Sequence, residues 1–588
     1  MMVSVVVFSG IILLIAYRVY GSLLVKLLQI DPKAETPAYT YRDDVDYAPL
    51  APGPLLNQHF SAIAAAGPIV GPILAGAAFG WLPAMIWILV GSIFIGGVHD
   101  FTSLVASVRH KGRSIAEVVR ENMSQRAFLL FLTFIWLALV YIIVAFTDIT
   151  AASFIGQQTL ESGEVVTGAG IASSSLMYLA LPIIMGLLLR YAKMPNWLGT
   201  LIFLPLIGVA IYAGQHYPVD VAAMVKSFSP EMTDARAQGI AHVIWDLTLL
   251  LYCAIASVLP LWLLLQPRGD LGGYFLFIAL GAGAIGLIAG GKPVELPAFS
   301  GWTSLKGDTL APMLFITIAC GACSGFHALI ASGTTSKQLR TEGDAKRIGY
   351  GSMLLEAMVA MISLCCVMAL SSNHELVKNP QPNFIYALGI GSFLETINIP
   401  AAIGVSFALM AFSTFVYDTL DVCTRLGRFI IQELIGLPGA AGRWIGTIVT
   451  TGAPMYFVFQ TSTDANGNRI PVWRTFWELF GASNQLLAAI SLLGVTVWLW
   501  RTRRAPWVWF VTGIPMALMS FMSIWALISI VQKHFKAGMT TNPVPWIAIV
   551  LIGLALMMIW EAIVIVFLKT PPRPEPPLNT LAIPTASD

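Results

Sequence analysis

Residues 59–76 read HFSAIAAAGPIVGPILAG, an apolar stretch of roughly bilayer-spanning length interrupted by two Gly-Pro pairs, Gly67-Pro68 and Gly71-Pro72. The two pairs remove two amide donors and two side chains within six residues, so a helix across this stretch should open. Hydrocarbon cannot hydrogen-bond a backbone, and an opened helix survives at membrane depth only where protein buries it or water fills a cavity. Two such pairs exceed what a packing helix with a simple proline kink needs, although that alternative stands beside the opened helix.

Outward from this stretch, apolar runs of about 20 residues recur from Met2 to Phe567, separated by short polar loops. The 588-residue chain is 57% hydrophobic and only 11% charged, whereas soluble domains carry about a quarter charged residues. The fold class is therefore an all-α polytopic membrane protein. Its runs make about 15 transmembrane helices, with centres from Ile12 through Pro72, Leu251, Ile278, Thr317 and Val449 to Ala555. Residues 1–568 read as one integral membrane domain. The proline-rich stretch 569–588 reads as a disordered cytoplasmic tail. The run from Met2 to Leu28 has neither a basic segment before it nor a cleavage site after it, and is expected to be a retained helix.

Basic residues set the orientation. With the loops Arg109–Arg126, Arg190–Lys193, Lys337–Arg347, Arg425–Arg443 and Arg501–Arg504 placed inside, about 23 of the 33 Lys and Arg fall on the cytoplasmic side. The N-terminus is then outside and the C-terminus inside. A formal charge of +2 leaves no footprint for nucleic acid. All six cysteines lie in or at the ends of apolar segments and are expected to be free thiols.

A second irregular stretch, residues 318–337 (IACGACSGFHALIASGTTSK), runs in the opposite direction and is expected to open between Gly321 and Gly325. Paired interrupted helices of opposite direction suggest an inverted-repeat transporter, whose half-helix ends and unwound carbonyls bind substrate and coupling ion. The seven-helix offset between them would require two inserted helices, such as those at Leu251 and Ile278. The candidate substrate residues are His59, Gly67, Pro68, Gly71, Pro72, Cys320, Gly321, Ser324, Gly325 and His327.

Ionisable side chains inside apolar runs cost about 2.5–3.5 kcal/mol each unless they face a cavity or a partner. Asp148, Asp246, Glu356, His99 and Asp100 are such candidates for ion coupling, with a helix-end or interhelical structural role as the alternative. Ser413, Thr414 and Asp418 align oxygens along one helical face suited to Na⁺ or a proton, whereas a pairing of Asp421 with Arg425 would make this an ordinary helix end. Three motifs mislead. The GxGxxG at Gly281–Gly286 begins no strand-to-helix turn and reads as a small-residue packing face. Cys320 and Cys323 form a CxxC without a second ligand pair, so no metal and no cofactor is expected. Ser324 lacks the flanking glycines of a nucleophile elbow, which argues against a hydrolase.

The segments GPIVGPILAG (67–76), GWLP (80–83), GGVHD (96–100) and ASVLPLWLLLQPRGDL (256–271) resemble the carbon starvation protein CstA family. So do LFITIACGACSGFHALIASGTTSKQL (314–339), IGYGSMLLE (348–356), TLDVCTRLGRF (419–429) and ELFGASNQLLA (478–488). The resemblance implies uptake of peptides or pyruvate across a bacterial inner membrane, driven by protons, on a fold of the amino acid, polyamine and organocation (APC, LeuT-like) transporter type. The expected partners are thus a small carboxylate-bearing nutrient (peptide, pyruvate or amino acid), a proton or Na⁺, and the lipid bilayer. A Na⁺-coupled amino-acid carrier and a membrane nutrient sensor are the competing functions.

Overall fold

The computed structural model of this protein describes residues 1–43, 47–160, 163–260, 262–305, 307–437, 439–459, 462–463, 469–539 and 542–568. The tail expected to be disordered, 569–588, lies outside them.

Among the described residues, 12 helices are long and apolar enough to cross a membrane, and the bent pair Pro52–Ile63 and Gly67–Phe79 makes up to 13. The expected count of about 15 thus includes two runs that do not qualify. The run at Thr317 is divided into Leu310–Thr317, Ala319–Ala322 and Gly325–Gly333. The run at Val449 is a helix, Gly439–Val458, outside the set that is both long and apolar enough. Sequence reading also overlooked Pro382–Glu395, a buried 14-residue helix too short to span. Asn383 Nδ2 at its start donates to Ser153 Oγ at 2.8 Å, and Thr396 Oγ1 just past its end donates to the Gly286 carbonyl at 2.7 Å. Both partners lie near the ends of their helices opposite the basic loops, so this short helix crosses that face.

The two broken helices run antiparallel and meet at their breaks. The first bends by 45° at residues 64–66, one turn before the expected opening, because Pro68 is better placed in the first turn of a new helix, where its missing N–H costs nothing. Only glycine permits the contact that follows. A Cβ on Gly67 would lie 2.4 Å from Cys320 Cβ, and one on Gly71 would lie 2.4 Å from the Thr317 carbonyl oxygen.

Helix Leu265–Gly290 is no peripheral insertion, although the helix offset had suggested one there. It packs between Pro52–Ile63 and the long helix Ala401–Ile435, in the middle of the bundle. Its GxGxxG is a packing face, as expected: Gly286 and Gly290 lie against Phe393 and Thr396. The six cysteines are free and buried.

Replacing Gly71 by Ala forces the two breaks apart and should destabilise the protein by about 1–3 kcal/mol. The melting temperature in detergent should fall below that of Gly53→Ala, whose added Cβ meets nothing within 4 Å. Equal melting temperatures for the two variants would refute the close contact.

Candidate functional site

Unwound backbone must find partners, and the second break finds them on helix Val472–Arg503. Asn484 Oδ1 accepts the Phe326 N–H at 3.1 Å, and its Nδ2 donates to Ser324 Oγ at 3.0 Å. One buried amide thus serves both sides of the opening, where Cys323 and Ser324 are extended. Asn484 stands within the quoted ELFGASNQLLA but was not singled out; an amide in an apolar helix was its only signal.

Directly below the break, His327 anchors a fully buried polar group. Asp100 lies between two rings, with His99 Nδ1 at 2.7 Å and His327 Nδ1 at 2.8 Å. The other ring nitrogen of His327 faces Glu356 Oε2 at 3.1 Å. An ionised carboxylate only accepts, so both Nδ1 atoms donate to Asp100. A proton on either His327 Nε2 or Glu356 would let these two groups hydrogen-bond to each other. The residues come from four elements: Gly97–Arg109 supplies His99 and Asp100, Gly325–Gly333 supplies His327 and Gly351–Met368 supplies Glu356. The fourth, Pro52–Ile63, supplies His59 nearby, whose Nδ1 is 2.8 Å from Thr335 Oγ1.

A cavity of about 500 Å³ opens on the face of the basic loops, between Arg113, Arg120, Lys337 and Arg425. A separate small space of about 20 Å³, room for a single water, lies among Gln58, Arg268, Thr335 and Asp418, and shares Gln58, Leu265, Thr334 and Val422 with the wall of the larger cavity. Arg268 is 1% exposed. Its guanidinium forks between Asp418 and Asp421 and also reaches Tyr252 Oη, while Ser61 Oγ donates to Asp418. Asp418 and Asp421, three residues apart, share one helical face. Asp421 therefore pairs across helices with Arg268, and Arg425 instead donates to the carbonyls of Ala256 and Leu259.

Sequence reading missed Arg268 because an arginine after a loop-like Leu-Gln-Pro passes for a cytoplasmic loop charge. Ser413 and Thr414 do not join this group. Their hydroxyls donate to the Leu409 and Met410 carbonyls one turn back on their own helix.

Asp148 and Asp246 are remote from both breaks, on the side away from the basic loops. They meet His242, whose Nε2 is 3.0 Å from Asp148 Oδ1 and 3.8 Å from Asp246 Oδ2. His242 escaped notice because it sits near the polar start of its helix; its i, i+4 spacing to Asp246 was the available signal. The eighteen candidates thus divide among the paired breaks with the His327 group, the Arg268 group with the hydroxyls beside it, and this far triad.

A helical membrane bundle with buried ionisable groups and a cavity open to one face belongs to the class of transport proteins. Within that class the chain belongs to the carbon starvation protein CstA family, whose profile matches residues 1–381 and 370–526. It is 31% identical over 568 residues to a peptide transporter CstA of Helicobacter pylori, covering 85% of this chain and 78% of that one. It is 32% identical over 544 residues to the peptide transporter CstA of Bacillus subtilis, covering 84% and 85%. To the pyruvate/proton symporter BtsT of Escherichia coli it is 28% identical over 606 residues, covering 89% and 81%.

Removing the bridging amide with Asn484→Leu leaves the Phe326 N–H unsatisfied, at a cost of about 1–3 kcal/mol. Peptide-level hydrogen exchange across 323–333 should accelerate, and maleimide should reach Cys320 and Cys323 sooner. Unchanged protection would mean that another group holds the break.

Proposed function

We propose that this protein imports a small carboxylate-bearing nutrient, a peptide or pyruvate, across a bacterial inner membrane by proton symport and alternating access. The observation that carries this reading is Arg268, buried just behind the wall of the cavity, in a small space that shares Gln58 and Val422 with it. A guanidinium is the side chain best matched to a carboxylate, through its planar fork of donors. Around the cavity Arg113, Arg120, Lys337 and Arg425 outnumber Glu117 and Glu433, an excess of positive charge that favours an anion on its way to Arg268.

Two carboxylates on one guanidinium leave the group one negative charge in excess. A proton on Asp418 removes that excess and releases one edge of Arg268 for the substrate carboxylate, so proton and substrate bind together or not at all. Reciprocal dependence of this kind is what coupling requires. A proton taken up by His327 or Glu356 would give a second place where charge can change without exposure to lipid. The antiparallel pairing of the two breaks supports an inverted-repeat, APC-type core, and Pro382–Glu395 across the far face supports an inward-facing state.

Competing readings fare less well. A Na⁺ site would need Asp418 free to ligate the ion, whereas Asp418 is paired with Arg268. A nutrient sensor is less supported than a carrier, since the chain is similar to peptide transporters CstA and to the pyruvate/proton symporter BtsT.

Proteoliposomes test the reading. An inwardly directed proton gradient should drive uptake of labelled pyruvate or dipeptide, choline in place of Na⁺ should not slow it, and competition among pyruvate, dipeptides and free amino acids should name the substrate class. Arg268→Lys should weaken carboxylate recognition roughly ten- to a hundredfold, the equivalent of about 1.5–3 kcal/mol for a charge-assisted bond. Asp418→Asn should retain counterflow but lose stimulation by the gradient. Uptake indifferent to the gradient would falsify proton coupling.

A further inference from the structure

We propose that Asp148, His242 and Asp246 form a divalent-cation site suited to Zn²⁺, on the side of the bundle opposite the vestibule. This inference is independent of what the protein carries.

The donor geometry is the first support. Each residue offers one ligand atom, and the three atoms lie within 4.8 Å of one another. His242 Nε2 lies 3.0 Å from Asp148 Oδ1 and 3.8 Å from Asp246 Oδ2. Zinc bonds of about 2.0–2.1 Å in a tetrahedron hold neighbouring donors roughly 3.3–3.4 Å apart, so the two separations straddle the required one.

The surroundings are those of a ligand set. The backbone N–H of Trp473, at the start of helix Val472–Arg503, donates to Asp148 Oδ2 at 2.8 Å. That bond turns Oδ1 toward His242, the work an outer-shell partner performs in a metal site. Asp246 is placed by its own helix, four residues and about one turn beyond His242.

Charge points the same way. Asp148 and Asp246 are buried, at 1% and 0% exposure, and share one imidazole edge. With the imidazole neutral, as a metal ligand must be, the three side chains carry a formal charge of minus two, which a divalent cation neutralises. Access exists because the His242 side chain is 18% exposed. One nitrogen and two carboxylate oxygens, with a fourth position left for water, is a donor set for zinc; magnesium and calcium favour oxygen alone.

Such an ion would join helix Gln125–Ile155, which carries Asp148, to helix Asp234–Val258, which carries the other two ligands. Two membrane helices would then be stapled on the side away from the vestibule.

The test uses the purified full chain with its affinity tag removed. Zn²⁺ alone should bind at one equivalent in calorimetry and raise the melting temperature, because a ligand that binds only the folded state stabilises it. Co²⁺ in its place should give the intense visible bands of a tetrahedral centre. His242→Ala and Asp246→Asn should each abolish the bands and the thermal shift. Metal-free, both variants should melt at the wild-type temperature and keep its circular dichroism, which separates loss of a ligand from loss of folding. Absence of saturable Zn²⁺ binding, or binding that survives both loss-of-ligand variants, overturns the site.

Discussion

The inability of hydrocarbon to hydrogen-bond an open backbone is the constraint on which the rest of this structure depends. Two helices are broken at the centre of the bundle, and neither break would be stable facing lipid. Each therefore lies against the other. Gly67 and Gly71 bring the backbone of the first helix onto Cys320 and Thr317 of the second. Asn484 supplies the acceptor that a continuous helix would have given Phe326. Once the breaks are sealed by protein on all sides, the ends of the half-helices become places where ions and polar groups can be kept.

Burial of charge obeys a parallel rule. A lone ion in a low-dielectric interior is too costly to keep, so charges enter in sets. Arg268 is balanced by Asp418 and Asp421 toward the vestibule, His327 by Asp100 and Glu356 beneath the break, and His242 by Asp148 and Asp246 at the far side. In none of these sets do the charges of the ionised acids cancel against a single cation. Each set therefore carries a formal imbalance of charge when all its acids are ionised.

Much of this was legible in the sequence, and the illegible part has a physical cause. Length and hydropathy revealed the spans, because a bilayer imposes one thickness on every crossing element. Gly-Pro pairs and the Gly/Ser-rich stretch around His327 revealed the breaks, displaced by a turn in the first case because proline prefers the first turn of a helix to its gap. Burial cost flagged Asp100, Glu356 and Asp418. Partnership was invisible, since periodicity gives the face of a helix and not what that face meets. Arg268 looked like a loop charge until helix Leu265–Gly290 was seen between Pro52–Ile63 and Ala401–Ile435. Pro382–Glu395 was missed because it covers the bundle instead of crossing it, and no hydropathy window of spanning length detects such a helix.

The short half-helix Pro52–Ile63 links these observations to movement. Gln58 lines the vestibule, His59 contacts Thr335, and Ser61 donates to Asp418. Three side chains within four residues thus touch the cavity, the continuation of the second broken helix, and the acid that balances Arg268. The half-helix is joined to its other half only through residues 64–66, where the chain bends by 45°. A rotation about those residues must therefore disturb the Asp418 and Thr335 contacts together. On the proposed reading, such a rotation would change access from one face and the charge balance at Arg268 together, the mechanical condition for coupling an ion to a substrate.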